Sequence, residues 1–168
     1  MTSPGLKLTP MGLRFLGRTL PVSIGRGGIA VAKQEGDGAT PAGTHRIIGL
    51  LYRPDRIAAK TLPPWAKPIN LEDRWCDAPD HPHYNHLTRK PFGKSQELLR
   101  RADPLYDIIM PLDWNWPEAV PHRGSAIFIH QWRRPGYPTA GCLGLARDDL
   151  LFIARNTVPG TEVSIPPR

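Results

Sequence analysis

The sequence contains few of the features that mark the specialised classes of proteins. It has only 2 cysteines in 168 residues, which allow one disulfide at most and form no closely spaced pair of the kind that binds zinc. No stretch approaches the roughly 20 consecutive apolar residues of a membrane-spanning helix. The glycine-rich loop of residues 36–43 lacks the Gly-Lys-Ser/Thr ending of a nucleotide-binding loop. We therefore predict no metal, no cofactor and no membrane span.

Signals for export and for polyanion binding are equally sparse. Arg14 and Arg18 interrupt the apolar residues of positions 1–28, and no small-residue cleavage site follows, so the sequence predicts no signal peptide. The formal net charge is +7, but no block of about five or six consecutive basic residues occurs. Such dispersed charge favours anionic partners without choosing between nucleic acid, anionic lipid and acidic polysaccharide, and a plain solvated surface shows it too.

What the sequence does have is proline and glycine, 20 and 16 residues, alongside 40% hydrophobic residues. This combination indicates one globular domain, residues 1–168, made of many short elements joined by ordered turns. We predict a mostly-β (α+β) fold. Apolar segments bounded by turn residues predict strands at 6–8, 13–20, 22–24, 29–31, 44–50, 106–112, 125–130 and 161–165.

Two further segments predict helices, and one predicts an irregular excursion. Residues 95–103 combine good helix formers with Ser95 as a candidate N-cap. Residues 147–155 place acidic side chains at the start and a basic one at the end, which suits the helix dipole. Residues 53–95 are rich in proline and aromatic residues without periodicity, and they predict a long, ordered excursion with at best one short strand.

The informative segment is residues 127–145, in which a predicted buried strand ends in His130 and a loop leads on to Cys142. A thiol attacks a carbonyl only as thiolate, and at its usual pKa of ~8.5 little thiolate is present at neutral pH. A histidine within hydrogen-bond reach takes the thiol proton, or holds it as imidazolium, and later protonates the leaving amine. Gly141 leaves space for a substrate beside the sulfur, and the amides of Ala140, Gly141 and Cys142 are a candidate oxyanion hole.

These residues also have a purely structural interpretation. Cys142 fits a small buried hydrophobe and His130 a core histidine with satisfied hydrogen bonds. Thiol reactivity separates the two interpretations, because a nucleophile of low pKa alkylates quickly at pH 6 and a buried structural cysteine does not. Cys76 has no catalytic context and is interpreted as structural. Three histidines lie close together in the excursion: His81, His83 and His86. They lack a fourth ligand at a typical zinc spacing.

Four motifs in order along the chain resemble those of the L,D-transpeptidase (YkuD-type) catalytic domain, in particular its single-domain bacterial members. The motifs are GDGATPAG at 36–43, Tyr84-Asn85, GSAIFIH at 124–130 and PTAGCL at 138–143. The resemblance implies a β-sandwich-like fold of mixed sheets with one or two helices. It also implies that Cys142 is the nucleophile and His130 its base.

The activity implied by this resemblance is cysteine-dependent acyl transfer on peptidoglycan stem peptides. The cysteine is acylated by the third residue of a tetrapeptide with loss of the terminal D-Ala, and an amine from another stem resolves the thioester. Two alternatives stay open. One is an L,D-carboxypeptidase or amide hydrolase that uses the same Cys–His site with water. The other is a non-catalytic module that binds an anionic cell-wall polymer.

The sequence departs from many members of the family near the nucleophile. Ala140 stands where many have histidine or another polar residue, Gly144 stands where many have arginine, and the loop from His130 is short. The missing arginine leaves the substrate carboxylate without its usual partner, and Arg133 or Arg134 is the candidate replacement. Further candidates for substrate binding are Thr139, Tyr84 and Asn85. Tyr84 and Asn85 are also candidates for ordering the loop that contains them.

The resemblance also bears on partners and location. We predict a monomer that binds peptidoglycan stem peptides and no nucleic acid. The substrate class implies the periplasm or cell envelope, whereas the lack of a visible signal peptide leaves the cytoplasm as the alternative.

Overall fold

The computed structural model describes residues 4–168, which form short strands joined by turns. The strands are β1 Leu6–Thr9, β2 Gly12–Phe15, β3 Arg18–Leu20, β4 Ile29–Ala30, β5 Thr40–Pro41, β6 Gly43–Arg46, β7 Leu51–Tyr52, β8 Lys67–Pro68, β9 Arg74–Cys76, β10 Leu87–Thr88, β11 Gln96–Leu98, β12 Ile108–Pro111, β13 Phe128–Gln131, β14 Leu143–Leu145 and β15 Glu162–Ile165. The α-helix α1 is Arg147–Asn156, and a 3-10 turn covers Ala59–Thr61. The predicted mostly-β fold is confirmed.

Two five-stranded sheets organise most of these strands. The first has the order β3-β2-β1-β15-β6 and the second the order β14-β13-β12-β7-β8. Both are mixed, because β1 runs parallel to β15 in the first sheet and β13 parallel to β14 in the second, beside antiparallel pairs. Two smaller sheets, β10-β9-β11 and β4-β5, complete the strand pairing of residues 4–168.

The main hydrophobic core lies between the two large sheets. β1 contributes Leu6 and Leu8 to it, and β12 contributes Ile108 and Met110 from the opposing sheet. This follows from the alternation of side chains along a strand, which sends every second residue to the same face. One face of α1 closes this core with Leu150, Ile153 and Ala154.

A second hydrophobic cluster covers the opposite face of the second sheet. It contains Ile109 from β12, Phe128 from β13 and Trp75 from β9. The side chains of β13 alternate between the two sides of the sheet, because Ile129 joins the main core whereas Phe128 joins the second cluster. β13 is therefore buried on both faces, and Cys142 lies in the second cluster.

The helix predicted at residues 95–103 is wrong. Residues 96–98 form strand β11, which pairs antiparallel with β9 and places Gln96 opposite Cys76 and Glu97 opposite Trp75. Ser95 is therefore not a helix N-cap. Good helix formers adopt a strand here because pairing and packing outweigh the small differences in intrinsic helix propensity.

The long excursion predicted at residues 53–95 is not confirmed as such. The segment contains β8, β9 and β10 as well as the 3-10 turn. β8 extends the second sheet, and β9 forms the centre of the sheet β10-β9-β11. Trp75 and Ile69 are buried in the second cluster, so this part of the chain forms the outer layer of the fold.

Other predicted elements differ mainly at their ends. Residues 13–20 form two strands, β2 and β3, because Leu16 and Gly17 adopt the positive φ angles of a turn between them. Residues 22–24 touch the second sheet through a single bridge from Ser23 to Gly144. The helix predicted at 147–155 is confirmed as α1. No helix within residues 4–168 has the length and apolar character needed to cross a membrane.

Candidate active site

A cleft of about 710 Å³ opens where β13 and β14 meet the small sheet β10-β9-β11. Cys142, His130, Thr139 and Ala140 all line it, so the structure brings the central residues of the predicted site together. The charged residues that line it are Arg26, Lys33, Arg101, Arg133, Glu35, Asp77 and Glu97. Both signs of charge are therefore present within one cleft.

The Cys142 side chain lies against the backbone of the segment that leads into β13. Its thiol donates a hydrogen bond to the carbonyl oxygen of Ala126 at 3.2 Å, and its sulfur accepts one from the amide of Phe128 at 3.3 Å. The residue is only 7% exposed. In residues 4–168 the hydrogen bonds of the sulfur go to backbone groups and not to His130.

His130 is fixed by its own backbone neighbourhood. Its Nδ1 lies 2.7 Å from the carbonyl oxygen of Gln131. A carbonyl only accepts, so Nδ1 carries the proton and Nε2 is left as the basic nitrogen. The ring packs edge-on against Tyr106, with 5.2 Å between ring centroids. Since Phe128 and His130 are two apart on β13, the histidine projects from the same face of the sheet as the Phe128 side chain, which shares the second cluster with Cys142.

Burial keeps both residues of the pair neutral at rest. It raises the pKa of Cys142 to about 12, with the charge of Glu97 raising it further and the Phe128 amide lowering it. Burial also lowers the pKa of His130 to about 4, against a smaller opposing effect of its bond to Gln131. At neutral pH the pair is a thiol beside an imidazole rather than a thiolate beside an imidazolium. Rapid alkylation at pH 6, the criterion set from the sequence, is therefore not what this geometry leads us to expect.

The loop that carries the nucleophile is held by Thr139 and by the glycine-rich loop of residues 36–43. The Thr139 hydroxyl donates to the carbonyl of Cys142 at 2.6 Å and accepts from the amide of Gly141 at 3.1 Å. From the other side, the Thr40 hydroxyl donates to the carbonyl of Gly141 at 2.8 Å. Gly141 has a φ of 139°, and a Cβ there would lie 2.8 Å from the carbonyl oxygen of Ala39. Glycine is required at this position by both backbone and space.

The three amides of the predicted oxyanion hole are not equivalent. The Gly141 amide is already bonded to the Thr139 hydroxyl. The amides of Ala140 and Cys142 have no acceptor among residues 4–168. An oxyanion in the cleft would therefore find two free donors flanking an occupied one, and Thr139 serves to order this loop as well as to line the cleft.

The two arginines predicted as partners for a substrate carboxylate lie in different places. Arg133 lines the cleft beside His130, and its charge is one of the causes that lower the pKa of that histidine. Arg134 does not line the cleft, and its guanidinium lies 4.6 Å from the ring centre of Tyr137. A Cβ at Gly144 would lie 3.2 Å from side-chain atoms of Trp132 and Thr139, so a larger side chain there would require these neighbours to shift.

Tyr84 and Asn85, predicted to bind substrate or to order their loop, are 3% and 2% exposed, and neither lines the cleft. The Tyr84 hydroxyl donates to Glu35, which also accepts from Ser125 at 2.7 Å. Asn85 bonds to the backbone of Ala126 at 3.0 Å. The geometry supports the ordering role rather than direct contact with a substrate.

The remaining cysteine and histidines of the sequence stay away from this chemistry. Cys76 is fully buried in β9 as a free thiol. The ring of His81 stacks on Phe92 with 4.0 Å between centroids. Among residues 4–168, no three metal-ligating side chains lie close enough together to hold an ion.

Comparison with known protein families identifies the family of this chain. A family model described as the L,D-transpeptidase catalytic domain (YkuD) matches residues 15–165. The chain belongs to this family. Comparison with curated proteins and with solved structures finds no match. The match supports an activity of the L,D-transpeptidase family, whose members act on peptidoglycan peptides.

Sequence reasoning missed two groups beside Cys142 and His130 in this chain of the L,D-transpeptidase family. Glu97 lines the cleft and accepts a hydrogen bond from the hydroxyl of Tyr106. Burial raises the pKa of Glu97, and burial with the charge of Glu97 raises that of Tyr106. Glu97 was hidden by the erroneous helix, since only a strand at 96–98 places it on the cleft. For Ala126, whose carbonyl holds the thiol, the sequence contains no signal.

Proposed function

We propose that this protein is a cysteine-dependent L,D-transpeptidase whose nucleophile is Cys142 and whose base is His130. The observation that carries the proposal is the meeting of these two side chains in one cleft, in a chain of this family. His130 lies on β13, and Cys142 immediately precedes the neighbouring parallel strand β14. The pair combines a nucleophile with a proton acceptor whose tautomer is set by Gln131.

The reaction begins with loss of the thiol proton. As the acyl donor enters, the Cys142 thiol leaves the Ala126 carbonyl and its proton passes to Nε2 of His130 while the sulfur attacks the peptide carbonyl. The tetrahedral oxyanion accepts hydrogen bonds from the backbone amides of Ala140 and Cys142. Collapse breaks the C–N bond, the imidazolium returns its proton to the leaving amine of D-Ala, and a thioester remains on Cys142.

The second half of the reaction repeats these roles with a new nucleophile. An amine of another stem peptide attacks the thioester carbonyl while His130 takes one of its protons, and the thiolate leaves and is reprotonated. Arg133 supports this scheme as an exposed arginine that lines the cleft and forms no ion pair within residues 4–168, which suits a substrate carboxylate. Water in place of the amine would make the same site an L,D-carboxypeptidase.

The burial of the thiol is the observation that favours a different function. A fully bonded, neutral Cys142 is also what a non-catalytic module for anionic polymers would contain. The two proposals differ in whether the sulfur can be acylated at all, and this difference can be measured directly.

Intact-mass spectrometry with a carbapenem, whose strained ring mimics the acyl donor, tests the proposal. We expect one covalent adduct on the wild-type chain and on Cys76→Ala, and none on Cys142→Ala. Turnover of a disaccharide tetrapeptide then distinguishes a cross-linked dimer from a shortened stem peptide. A wild-type chain that gains no mass after prolonged incubation and releases no D-Ala from the tetrapeptide would rule out the catalytic proposal.

The substrate class also suggests where the protein acts. Stem peptides in the cell wall lie outside the inner membrane, so we propose the cell envelope as its compartment, with action on recycled fragments in the cytoplasm as the alternative. Fractionation of cells that produce the protein at its natural level separates the two.

A further inference from the structure

The backbone of Ala126 has an uncommon conformation at the point where it meets the nucleophile. Its φ is 54°, in the left-handed region that residues with a Cβ seldom adopt. Its carbonyl oxygen is the acceptor for the Cys142 thiol at 3.2 Å. The direction of that carbonyl, and with it the resting direction of the thiol, depends on holding Ala126 in this conformation.

The side chain of Asn85 is the group that holds it. Its Oδ1 accepts from the amide of Ala126 at 3.0 Å and from Nε1 of Trp75 at 2.9 Å. Its Nδ2 donates to the carbonyls of Trp114 and Asn115 at 2.9 and 2.7 Å. Two donors on the oxygen and two acceptors on the nitrogen use the full hydrogen-bonding capacity of the amide and fix its orientation.

Asn85 is itself poorly placed to act on a substrate. It is 2% exposed, does not line the cleft and has a left-handed φ of 59°. A buried asparagine whose four bonds join three separate segments of the chain acts through the backbone that it holds. One of those segments is the one on which the sulfur of Cys142 rests.

We propose that Asn85 is a positioning residue that sets the resting direction of the Cys142 thiol through the backbone of Ala126. The inference rests on the proposed function for its effect on acyl transfer, but its effect on the thiol can be measured without any acyl donor. The S–H bond to Ala126 stabilises the thiol, whereas the Phe128 amide stabilises the thiolate. Losing the first bond alone therefore favours ionisation.

The test variant is Asn85→Gly, because glycine adopts the φ of 59° without strain and removes only the side chain. We expect alkylation of Cys142 by iodoacetamide at pH 8 to become about five- to tenfold faster, the effect of losing one neutral hydrogen bond, with the whole rate–pH curve displaced to lower pH. Acylation by a carbapenem should become slower in the same variant, because the sulfur is no longer held in one direction.

A control variant separates positioning from loosening of the fold. Thr161→Ala removes a buried hydroxyl that both donates to and accepts from the backbone of Val158. Thr161 immediately precedes β15 of the first sheet and does not line the cleft. It should lower the melting temperature without displacing the rate–pH curve of Cys142. If Asn85→Gly and Thr161→Ala change alkylation equally at equal loss of stability, Asn85 is only structural and the proposal is overturned.

A milder variant keeps the proposal testable if Asn85→Gly does not fold. Trp75→Phe removes the indole N–H that donates to Asn85. It keeps an aromatic ring against Phe128, whose ring centroid lies 5.0 Å from that of Trp75 in the wild type. We expect a change in alkylation of about two- to threefold in the same direction, for the loss of a supporting bond. An unchanged rate–pH curve in Trp75→Phe contradicts the proposal. A wild-type chain that alkylates as expected but is never acylated instead refutes the proposed function and leaves the positioning intact.

Discussion

Replacing Glu97 by glutamine should make Cys142 more reactive, because the carboxylate is a negative charge that opposes the thiolate. Glu97 lies on β11 with its carboxylate bonded to Tyr106, and its charge is among the causes that raise the pKa of Cys142. Glutamine has nearly the same shape and keeps an oxygen that accepts from Tyr106. The substitution therefore removes charge with little change in packing.

The magnitude follows from the pKa of the thiol. At a pKa of about 12, the thiolate fraction of Cys142 at pH 7 is about 10⁻⁵, compared with a few per cent for a free cysteine. Removing a like charge near an ionisable group shifts its pKa by about one unit. The thiolate fraction, and the alkylation rate with it, should then rise about tenfold in Glu97→Gln at any pH where the wild-type carboxyl is ionised.

The assay is the rate of Cys142 alkylation between pH 5 and pH 10 in a Cys76→Ala background. Burial raises the pKa of Glu97 above its ordinary value, so at low pH the carboxyl is neutral and the wild-type and Glu97→Gln curves should converge. Glu118→Gln, which removes an exposed glutamate with no ion pair within residues 4–168, is the matched control and should leave the curve in place. Parallel curves that differ by less than twofold at every pH would refute the electrostatic link between Glu97 and the nucleophile.

Three further predictions concern the base, the loop and the fold. His130→Gln should lower kcat/KM by about 10²–10⁴-fold with little change in melting temperature. In the wild type, the rate should not fall through protonation of the base until the pH approaches 4, where His130 becomes protonated. A fall in rate centred near pH 6.5 would contradict the buried, neutral histidine. Gly141→Ala should abolish acylation, because the added Cβ meets a loop carbonyl at 2.8 Å and the φ of 139° disfavours alanine, and carbapenem adduct formation at the wild-type rate would disprove this. Asp107→Asn should lower the free energy of unfolding by about 1–3 kcal/mol in urea titrations. The reason is that Asp107 is 2% exposed and accepts hydrogen bonds from Arg56 and Arg147 at 2.8 and 2.9 Å. An unchanged urea midpoint would show that these bonds contribute nothing to stability.

The placing of Cys142 and His130 in one cleft could be predicted because the sequence signals around both residues are local. The strand that ends in His130 is a run of β-branched and aromatic residues, and its alternation fixes which side chains share a face. Gly141 beside Cys142 is a local signal too, since only glycine tolerates the backbone found there. The sequence also predicts α1, because acidic residues lie at its start and Arg155 lies at its end.

The roles of the supporting residues could not be predicted, because tertiary pairing decides where each of them lies. Glu97 lies in a stretch of good helix formers, and only its pairing with Trp75 on β9 makes it a strand residue that faces the cleft. The role of Asn85 depends on three segments that are separated along the chain. The sequence alone does not distinguish Arg133 from Arg134, because they are identical neighbouring residues. In the structure the Arg134 guanidinium stacks on Tyr137 instead of lining the cleft.

The nucleophile loop is supported by residues from the opposite half of the chain, and this has a consequence for biosynthesis. Gly141 rests on Thr40, Gly144 bridges to Ser23, and β1 lies between β2 and β15 in the first sheet. Contacts between such distant positions form late, because a long loop must close first. A ribosome-bound chain that has not yet released β15 therefore lacks the strand that joins β1 to β6 in the first sheet. Until the two halves of the chain have folded together, the Cys142 thiol should keep the solvent access and pKa of an ordinary cysteine, so burial of the thiol accompanies completion of the fold.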